Sequence, residues 1–355
     1  IAIAYHVKTL DFMSQYGLNA NCISDEELNC KELIEIYDRL QNNIDEIGEG
    51  LAPHLKFEGD TLFLKGDKSE YISSQDESVI KRQFPNSYLV MAGDFLNPSL
   101  LGTLKVDGQR VKGRQMIEVM NAMDFDLATF GNHEFDIKEK ELQQRLNESD
   151  FNWVSANVFQ KNGESPDVFH TIKKGDSIAI PETLYYDLNA NDTSKVRIGF
   201  FGVTIDSNPK DFVYYSDYLT AAKASVQTLQ TKGSDIVIGL THLELEQDIM
   251  VADEVANIDF IMGGHEHFNM LVPTKGATVA KADANAKSVY VHTLVYDLVS
   301  KTSAISSELV LITDKVPSLP RVQKVVAKWD AILEQEIKTV VDNPNEVIYK
   351  AEDFL

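Results

Sequence analysis

The chain has 355 residues, of which 43% are hydrophobic, so it can bury one large core or two smaller ones. It contains 55 acidic and 33 basic residues, and its formal net charge of −22 repels nucleic-acid backbones and anionic membrane surfaces. No apolar run reaches the about 18 residues that a membrane-spanning helix needs. Composition therefore favours a globular protein that does not bind nucleic acid and that concentrates divalent cations.

The first predicted element is a strand over 1–5, which leads to Asp11 at its C-terminal end. Residues 14–80 are the least regular part of the chain. There the pattern predicts an amphipathic helix over 25–47 and a small hairpin over 55–64. We expect this stretch to be an insertion outside the main core.

From residue 88 onward, strands and helices alternate. Strands are predicted over 87–92, 126–130, 153–158, 196–204, 235–240 and 258–262, and helices over 113–123, 137–147, 217–231 and 244–256. Three further strands follow one another over 278–282, 288–298 and 303–313. This order predicts an α/β domain in which two packed sheets are covered by helices.

A Pro-containing stretch at 316–320 ends the predicted core, and an amphipathic helix over 321–338 follows it. We therefore interpret 1–315 as one domain and 316–355 as a helix and tail.

Polar side chains recur where predicted strands end. They are Asp11, Asp94, Asn132 with His133, His242, and His265 with His267. Ligands of open α/β sheets gather outside the carboxyl ends of strands, so these five loops can converge on one crevice. Their oxygen and nitrogen donors form a mixed set that suits Zn, Mn or Fe. Two cations held about 3.5–4 Å apart are the arrangement that a two-metal hydrolase needs.

His133 and Asp136 lie three residues apart, close enough for the carboxylate to orient the imidazole. Taken alone, the eight residues 129–136 that contain this pair also fit a capped helix start, with Asn132 as N-cap and acidic residues facing the helix dipole. A Gly-Asp pair or a single histidine after a strand is usually structural. It is the combination of these elements, in this order, that favours a metal-assisted hydrolase.

In this order, the motifs resemble those of the calcineurin-like metallophosphoesterases. They are Gly93-Asp94, Gly131-Asn132-His133-Glu134, His242 and Gly264-His265-Glu266-His267. Three stretches resemble the 5′-nucleotidase branch more narrowly, namely 131–136, 155–158 and 281–283. The resemblance runs from about residue 88 to 313. It implies a four-layer αββα sandwich, in which two mixed β-sheets are flanked by helices, with two divalent metal ions of Zn, Mn, Fe or Mg.

By position, the resemblance implies that Asp94 bridges the two metals. Asn132, His242 and His265 would complete one site, and Asp11 with His267 would serve the other. His133 would protonate the leaving alkoxide or steady the phosphoryl charge, with Asp136 orienting it. A metal-bound hydroxide would attack phosphorus in line.

The chain departs from the family pattern in two places. The first family motif is Asp-x-His, but here it reads Asp11-Phe12-Met13, and a thioether is a poor ligand for hard cations. We expect that site to be weakened, to recruit His6 or His54, or to hold a different metal. The two-domain nucleotidases also carry a C-terminal substrate domain after their linker helix, and we expect that domain to be absent here.

The sequence thus predicts a dinuclear metal-dependent phosphohydrolase that acts on nucleotide phosphomonoesters. One alternative keeps the fold and changes the bond, giving a phosphodiesterase for cyclic nucleotides or a pyrophosphatase for sugar nucleotides. Another is a binding protein whose metal site has degenerated at Met13, although intact His133 and Asp136 favour catalysis. The resemblance also implies a periplasmic or extracellular location, with a cytoplasmic one as the alternative.

Overall fold

The computed structural model describes residues 2–3, 55–58, 61–64, 86–106, 108–163, 165–189, 195–314, 316 and 318–338. Its strands are β1 (Ala2–Ile3), β2 (Leu55–Glu58), β3 (Thr61–Leu64), β4 (Tyr88–Met91), β5 (Lys105–Val106), β6 (Gln109–Arg110), β7 (Leu127–Ala128), β8 (Asn152–Trp153), β9 (Val158–Asn162), β10 (Ser165–Asp167), β11 (His170–Lys173), β12 (Asp176–Ala179), β13 (Thr183–Asn189), β14 (Lys195–Thr204), β15 (Val213–Tyr215), β16 (Ile236–His242), β17 (Phe260–Gly263), β18 (Met270–Pro273), β19 (Thr278–Lys281), β20 (Ser288–Asp297) and β21 (Thr302–Leu311). Its α-helices are α1 (Leu100–Thr103), α2 (Arg114–Ala122), α3 (Glu139–Glu148), α4 (Tyr218–Thr231), α5 (Leu245–Glu254) and α6 (Pro320–Lys338).

Contacts divide the chain into two units, of which the larger comprises 1–9, 84–313 and 318–355. The smaller unit comprises 10–83 and 314–317. Within it, β2 and β3 form the predicted hairpin as an antiparallel pair. The helix predicted over 25–47 lies outside the described residues.

The larger unit contains two six-stranded sheets, both mixed in strand direction. The first sheet has the order β21-β20-β1-β4-β7-β8, with β1, β4, β7 and β8 parallel. The second has the order β13-β14-β16-β17-β19-β18, with β14, β16, β17 and β19 parallel. In each sheet the parallel strands therefore place their carboxyl ends at one edge.

Alternating side chains along the strands build three hydrophobic cores. On β4, Leu89 and Met91 pack with the residues of α2 and α3, whereas Val90, and Ala92 directly after the strand, face the second sheet. On β16, Ile238 and Leu240 join the core between the sheets, and Val237 packs with α4 and α5. The layers are therefore helices, sheet, sheet and helices, and the predicted four-layer α/β sandwich is confirmed.

Helix α6, predicted over 321–338, packs on α2 through Trp329, which is only 2% exposed. Its indole Nε1 donates to Glu118 Oε2 at 3.0 Å, and Lys328 Nζ donates to the same oxygen at 2.6 Å. Burial of the indole supplies most of the stabilisation, because surface ion pairs contribute little. Among the described helices, none combines the length and apolar composition that crossing a membrane requires.

Two predicted strands are shorter than the sequence pattern suggests. The strand predicted over 126–130 is limited to β7, and the one predicted over 153–158 is divided between β8 and β9. The break in the second follows from Asn157, whose side chain bonds to both the N–H and the C=O of Thr204 at 2.8 Å. A side chain that takes backbone partners in this way replaces the strand ladder locally.

Candidate metal centre

The strand ends of both sheets bring together three of the predicted metal ligands. Asp94 follows β4 of the first sheet, His242 ends β16 of the second, and His265 follows β17. One donor atom from each lies within 4.8 Å of the other two. Asp94 and His242 are buried, at 1% and 0% exposure.

The ring of His242 has a fixed orientation. Its Nδ1 lies 2.6 Å from the carbonyl oxygen of Ala92, and a carbonyl only accepts, so Nδ1 carries a proton. The other nitrogen, Nε2, lies 3.2 Å from Asp94 Oδ2. A ring nitrogen and a carboxylate oxygen at this distance create a place for a positive charge, whether a proton or a metal ion.

The pKa of His242 reflects the same field. Burial by itself lowers this pKa, but the charge of Asp94 and the Ala92 carbonyl outweigh burial, and the pKa lies above its ordinary value. A metal ion would compete with the proton for the same nitrogen.

Three glycines allow the strand ends to approach closely. A Cβ on Gly131 would lie 2.3 Å from Asp94 Oδ1, and one on Gly93 would lie 2.4 Å from the nitrogen of Gly131. A Cβ on Gly264 would lie 2.2 Å from the carbonyl oxygen of Ala92. No other residue fits these positions without moving the loops apart. Asp94 and His265 themselves adopt left-handed backbone conformations, with φ of 59° and 80°.

Glu134 joins the loops that follow β4 and β7. It is fully buried, and its carboxylate accepts from the backbone nitrogens of Asp94, Phe95, Leu96 and Gly131 at 2.6–3.0 Å. Burial, followed by the nearby charge of Asp94, raises the pKa of Glu134 to about 7. Sequence reasoning assigned Glu134 only to the motif and to a helix dipole. Its spacing of three from Gly131 was the available signal for a carboxylate that accepts from a backbone N–H.

His133 and Asp136 form the predicted pair within the 3₁₀ helix Asn132–Asp136. His133 Nδ1 lies 2.6 Å from Asp136 Oδ2, and the backbone nitrogen of His133 donates to Asp94 Oδ1 at 2.7 Å. The His133–Asp136 pair is thus hydrogen-bonded directly to Asp94. Asp94, His242 and His265 are called the donor group below.

Asp136 is itself held by three donors that the sequence did not reveal. Asn208 Nδ2 donates to Asp136 Oδ1 at 2.8 Å, Lys210 Nζ lies 3.3 Å from the same oxygen, and Asn97 Nδ2 donates to Oδ2 at 3.3 Å. Asn208 Nδ2 also donates to the backbone carbonyl of Asn132 at 2.8 Å. The loop after β14 therefore fixes the orienting carboxylate and the Asn132 turn together.

Asn132 lies 6% exposed at the start of this turn. Its buried Oδ1 has no hydrogen-bond donor among the described residues. A buried amide oxygen needs a hydrogen-bond donor or a cation, and a divalent cation would satisfy it. Together with Asp94, His242 and His265, the donor chemistry fits a hard or borderline metal ion.

Among the described residues, His267 is not part of the group of three. It is exposed, although it lies two residues from His265. The left-handed backbone at His265 interrupts the extended alternation that would direct both rings the same way. Asp11, Met13 and the alternative ligands His6 and His54 all lie outside the described residues.

The chain also matches a known protein family. The family model described as calcineurin-like phosphoesterase matches residues 70–269. The chain belongs to this family. The predicted membership is confirmed, and the family is one of metal-dependent phosphoesterases, which implies divalent metals without identifying them.

Three curated relatives are nucleotide phosphoesterases. The trifunctional nucleotide phosphoesterase YfkN of Bacillus subtilis is 29% identical over 53% of this chain, and human 5′-nucleotidase is 26% identical over 74%. The 2′,3′-cyclic-nucleotide 2′-phosphodiesterase/3′-nucleotidase of Salmonella typhimurium is 27% identical over 58%. The chain covers 14%, 48% and 34% of these proteins, so it spans about half or less of their length.

A solved structure also shares the fold. The crystal structure of the calcineurin-like phosphoesterase YfkN from Bacillus subtilis superposes with a TM-score of 0.61 at 21% identity, covering 75% of this chain and 90% of that chain.

Proposed function

We propose that the chain is the metal-dependent catalytic part of a phosphohydrolase that acts on nucleotide phosphomonoesters. The observation that carries the proposal is the direct connection of a metal-donor group to a histidine–carboxylate pair. Asp94 faces His242 through Oδ2 and accepts from the His133 backbone through Oδ1. Substrate held at the donor group would therefore lie next to the acid.

In this proposal Asp94, Asn132, His242 and His265 would hold one divalent ion, and Asp11 and His267 remain the ligands that the sequence suggests for a second ion. Bound divalent ions would polarise the phosphoryl oxygens and supply a nucleophile at neutral pH. The protein contributes fixed orientation, because the backbone of each loop is tied to a neighbouring loop.

His133 acts on the leaving group. Asp136 only accepts hydrogen bonds when ionised, so Nδ1 of His133 carries a proton and Nε2 is the atom that can give a proton to the departing oxygen. The carboxylate also stabilises the positive ring by Coulomb attraction. Asn97, Asn208 and Lys210 hold Asp136 in place, and Lys210 adds a positive charge in a chain whose net charge of −22 repels phosphate.

Nucleotide monoesters are the favoured substrates because human 5′-nucleotidase matches 74% of the chain, whereas the Salmonella typhimurium phosphodiesterase/3′-nucleotidase matches 58%. A second candidate is hydrolysis of cyclic nucleotide diesters. It is favoured by the match to the Salmonella typhimurium phosphodiesterase/3′-nucleotidase over 58% of the chain.

The test combines metal analysis with turnover. Metal content is measured by elemental analysis, and turnover is measured on p-nitrophenyl phosphate, bis-p-nitrophenyl phosphate, 5′-AMP and 2′,3′-cyclic AMP, with and without Mn²⁺. We expect bound metal, turnover of monoesters, and a loss of about 10²–10⁴ in kcat for His133→Ala with metal retained. The control is His170→Ala on β11, outside the site. Preference for diesters would favour the second candidate, and no metal and no turnover would leave a binding protein.

Two further parts of the proposal concern organisation and location. We propose that 1–315 form the catalytic domain, that 14–80 are an insertion, and that 316–355 form a linker helix and tail. Limited proteolysis followed by mass spectrometry would locate these boundaries. We also propose a location outside the cytoplasm, which fractionation of the native host would test.

A further inference from the structure

A buried lysine lies beside the loop that carries His265 and His267. Lys281, at the end of β19, is 0% exposed, and its Nζ contacts three oxygens from three different segments. It donates to the carbonyl oxygen of Leu243 at 2.6 Å and lies 2.7 Å from Asp248 Oδ2 on α5. The third contact is a short one to Glu266 Oε2. A buried ammonium is retained only when its donors are satisfied in this way.

These contacts connect the segments that carry three of the proposed metal ligands. Leu243 directly follows His242, and Glu266 stands between His265 and His267. The second oxygen of Glu266 accepts from the backbone nitrogen of Leu245 at 2.6 Å, at the first turn of α5. Lys281 and Glu266 therefore fasten the loop after β17 to the loop after β16.

Gly263 makes room for this arrangement. A Cβ at this position would lie 2.8 Å from Lys281 Cε and 3.0 Å from Asp248 Oδ2. The two glycines before His265 thus serve different neighbours, since Gly264 approaches Ala92 and His242. Residues 263–264 therefore lie between Lys281 on one side and the donor group on the other.

We propose that Lys281 is a positioning residue for the metal centre. By holding Glu266, it fixes the loop on which His265 and His267 are mounted, and this raises the affinity of the centre for metal. Asp248 neutralises and buries the lysine but is not attached to that loop. The inference rests on the proposed role of His265 as a metal ligand.

The experiment compares Lys281→Met, Glu266→Ala and Asp248→Asn with the unaltered chain. Binding of Mn²⁺ and Co²⁺ is measured by isothermal titration calorimetry, and the visible absorption of bound Co²⁺ reports the number and geometry of its ligands. Unfolding temperature and circular dichroism of the metal-free proteins measure stability separately. Partners that orient metal ligands typically change affinity by about 10–100-fold, and we expect that loss for Lys281→Met and Glu266→Ala.

The matched control is Asp248→Asn, which removes a carboxylate from the same lysine and leaves the contact to Glu266. We expect it to lower the unfolding temperature while metal affinity stays within about threefold of the unaltered chain. The double variant Lys281→Met/Glu266→Ala should bind metal no more weakly than either single variant, because both act through one connection.

Several results would overturn the proposal. One is a folded Lys281→Met variant with unaltered metal affinity and Co²⁺ spectrum. Another is an Asp248→Asn variant that loses affinity in proportion to its lost stability, as a purely structural role requires. If Lys281→Met does not fold, the metal affinities of Glu266→Ala and Asp248→Asn are compared instead, and equal affinities would overturn the proposal. Absence of metal binding by the unaltered chain would instead refute the proposed function, so the two failures are distinguishable.

Discussion

Two buried charged side chains of opposite sign hold the loops around the donor group. Glu134 holds the first-sheet half, which is the loops after β4 and β7, and Lys281 holds the second-sheet half, which is the segments after β16 and β17. Glu134 gathers four backbone N–H groups from the loops after β4 and β7 of the first sheet. Lys281 gathers a carbonyl and two carboxylates from the segments after β16 and β17 of the second sheet. Both side chains are 0% exposed.

The two arrangements differ in how their charge is balanced. Lys281 has anionic partners, whereas Glu134 has neutral backbone partners and a like charge in Asp94, which together with burial raises its pKa to about 7. A cation at Asp94 would relieve this like-charge repulsion, so we expect a bound metal ion to stabilise the first-sheet loops more than the second-sheet loops.

The largest effect is expected from removing the carboxylate on the first-sheet side. Glu134→Ala leaves buried N–H groups of two loops unsatisfied, and we expect a loss of roughly 3–5 kcal/mol in the free energy of unfolding and loss of turnover. Urea unfolding and p-nitrophenyl phosphate assays measure both. The control is Glu141→Ala, which removes the hydrogen bond from the Lys138 backbone N–H at the start of α3 and should cost about 1 kcal/mol. Equal costs for the two variants would contradict the role of Glu134.

The pH dependence of stability tests a third buried ionisable side chain, His292, which lies among aromatic neighbours. His292 lies between the rings of Phe260 and Tyr290 and near the hydroxyl of Ser307, and burial lowers its pKa to about 4. The unfolded chain, with a usual pKa near 6.5, then binds the proton better. Stability should fall by roughly 3 kcal/mol as pH drops from about 6.5 to 4. Urea midpoints across this range should show a smaller fall for His292→Gln; an unchanged fall would assign it to other groups.

The contact between the two halves can be broken at a glycine. Gly264→Ala places a methyl group 2.2 Å from the carbonyl of Ala92, and we expect a cost of roughly 2–3 kcal/mol together with weakened metal binding. Gly175→Ala is the control, since Gly175 has φ of 93° and open space around it, and should cost about 1–2 kcal/mol through backbone strain alone. Calorimetry with Mn²⁺ separates them, because only Gly264→Ala should lose affinity. Equal affinities would show that the strand ends tolerate separation.

The smallest effect is expected at Asn208, which bridges Asn132 and Asp136. Asn208→Ala removes two hydrogen bonds at a half-exposed position, so we expect about 1 kcal/mol in stability and about a tenfold fall in kcat with metal affinity retained. Steady-state kinetics and metal titration test this. If Asn208→Ala lowered metal affinity more than kcat, Asn208 would instead act on the donor group.

Much of the architecture follows from periodic pattern. Continuous apolar runs on β4 and β16 predict strands that are buried on both faces, and the order of strands and helices predicts a layered α/β fold. Strand lengths were less predictable, because side chains such as Asn157 replace ladder bonds with distant partners. The convergence of Asp94, His242 and His265 was expected from the shared edge of parallel strands.

The sequence by itself determined the family, the layered fold and the residue types available for a metal-assisted reaction, since these depend on local periodicity and short motifs. The tertiary structure decided which of those residues meet. Ala92 and His242 are 150 residues apart, and Asp94 and Glu134 are 40 apart, so neither contact leaves a local pattern. The roles of Lys281 and Asn208, and the different surroundings of His265 and His267, likewise depend on which loops the two sheets bring into contact.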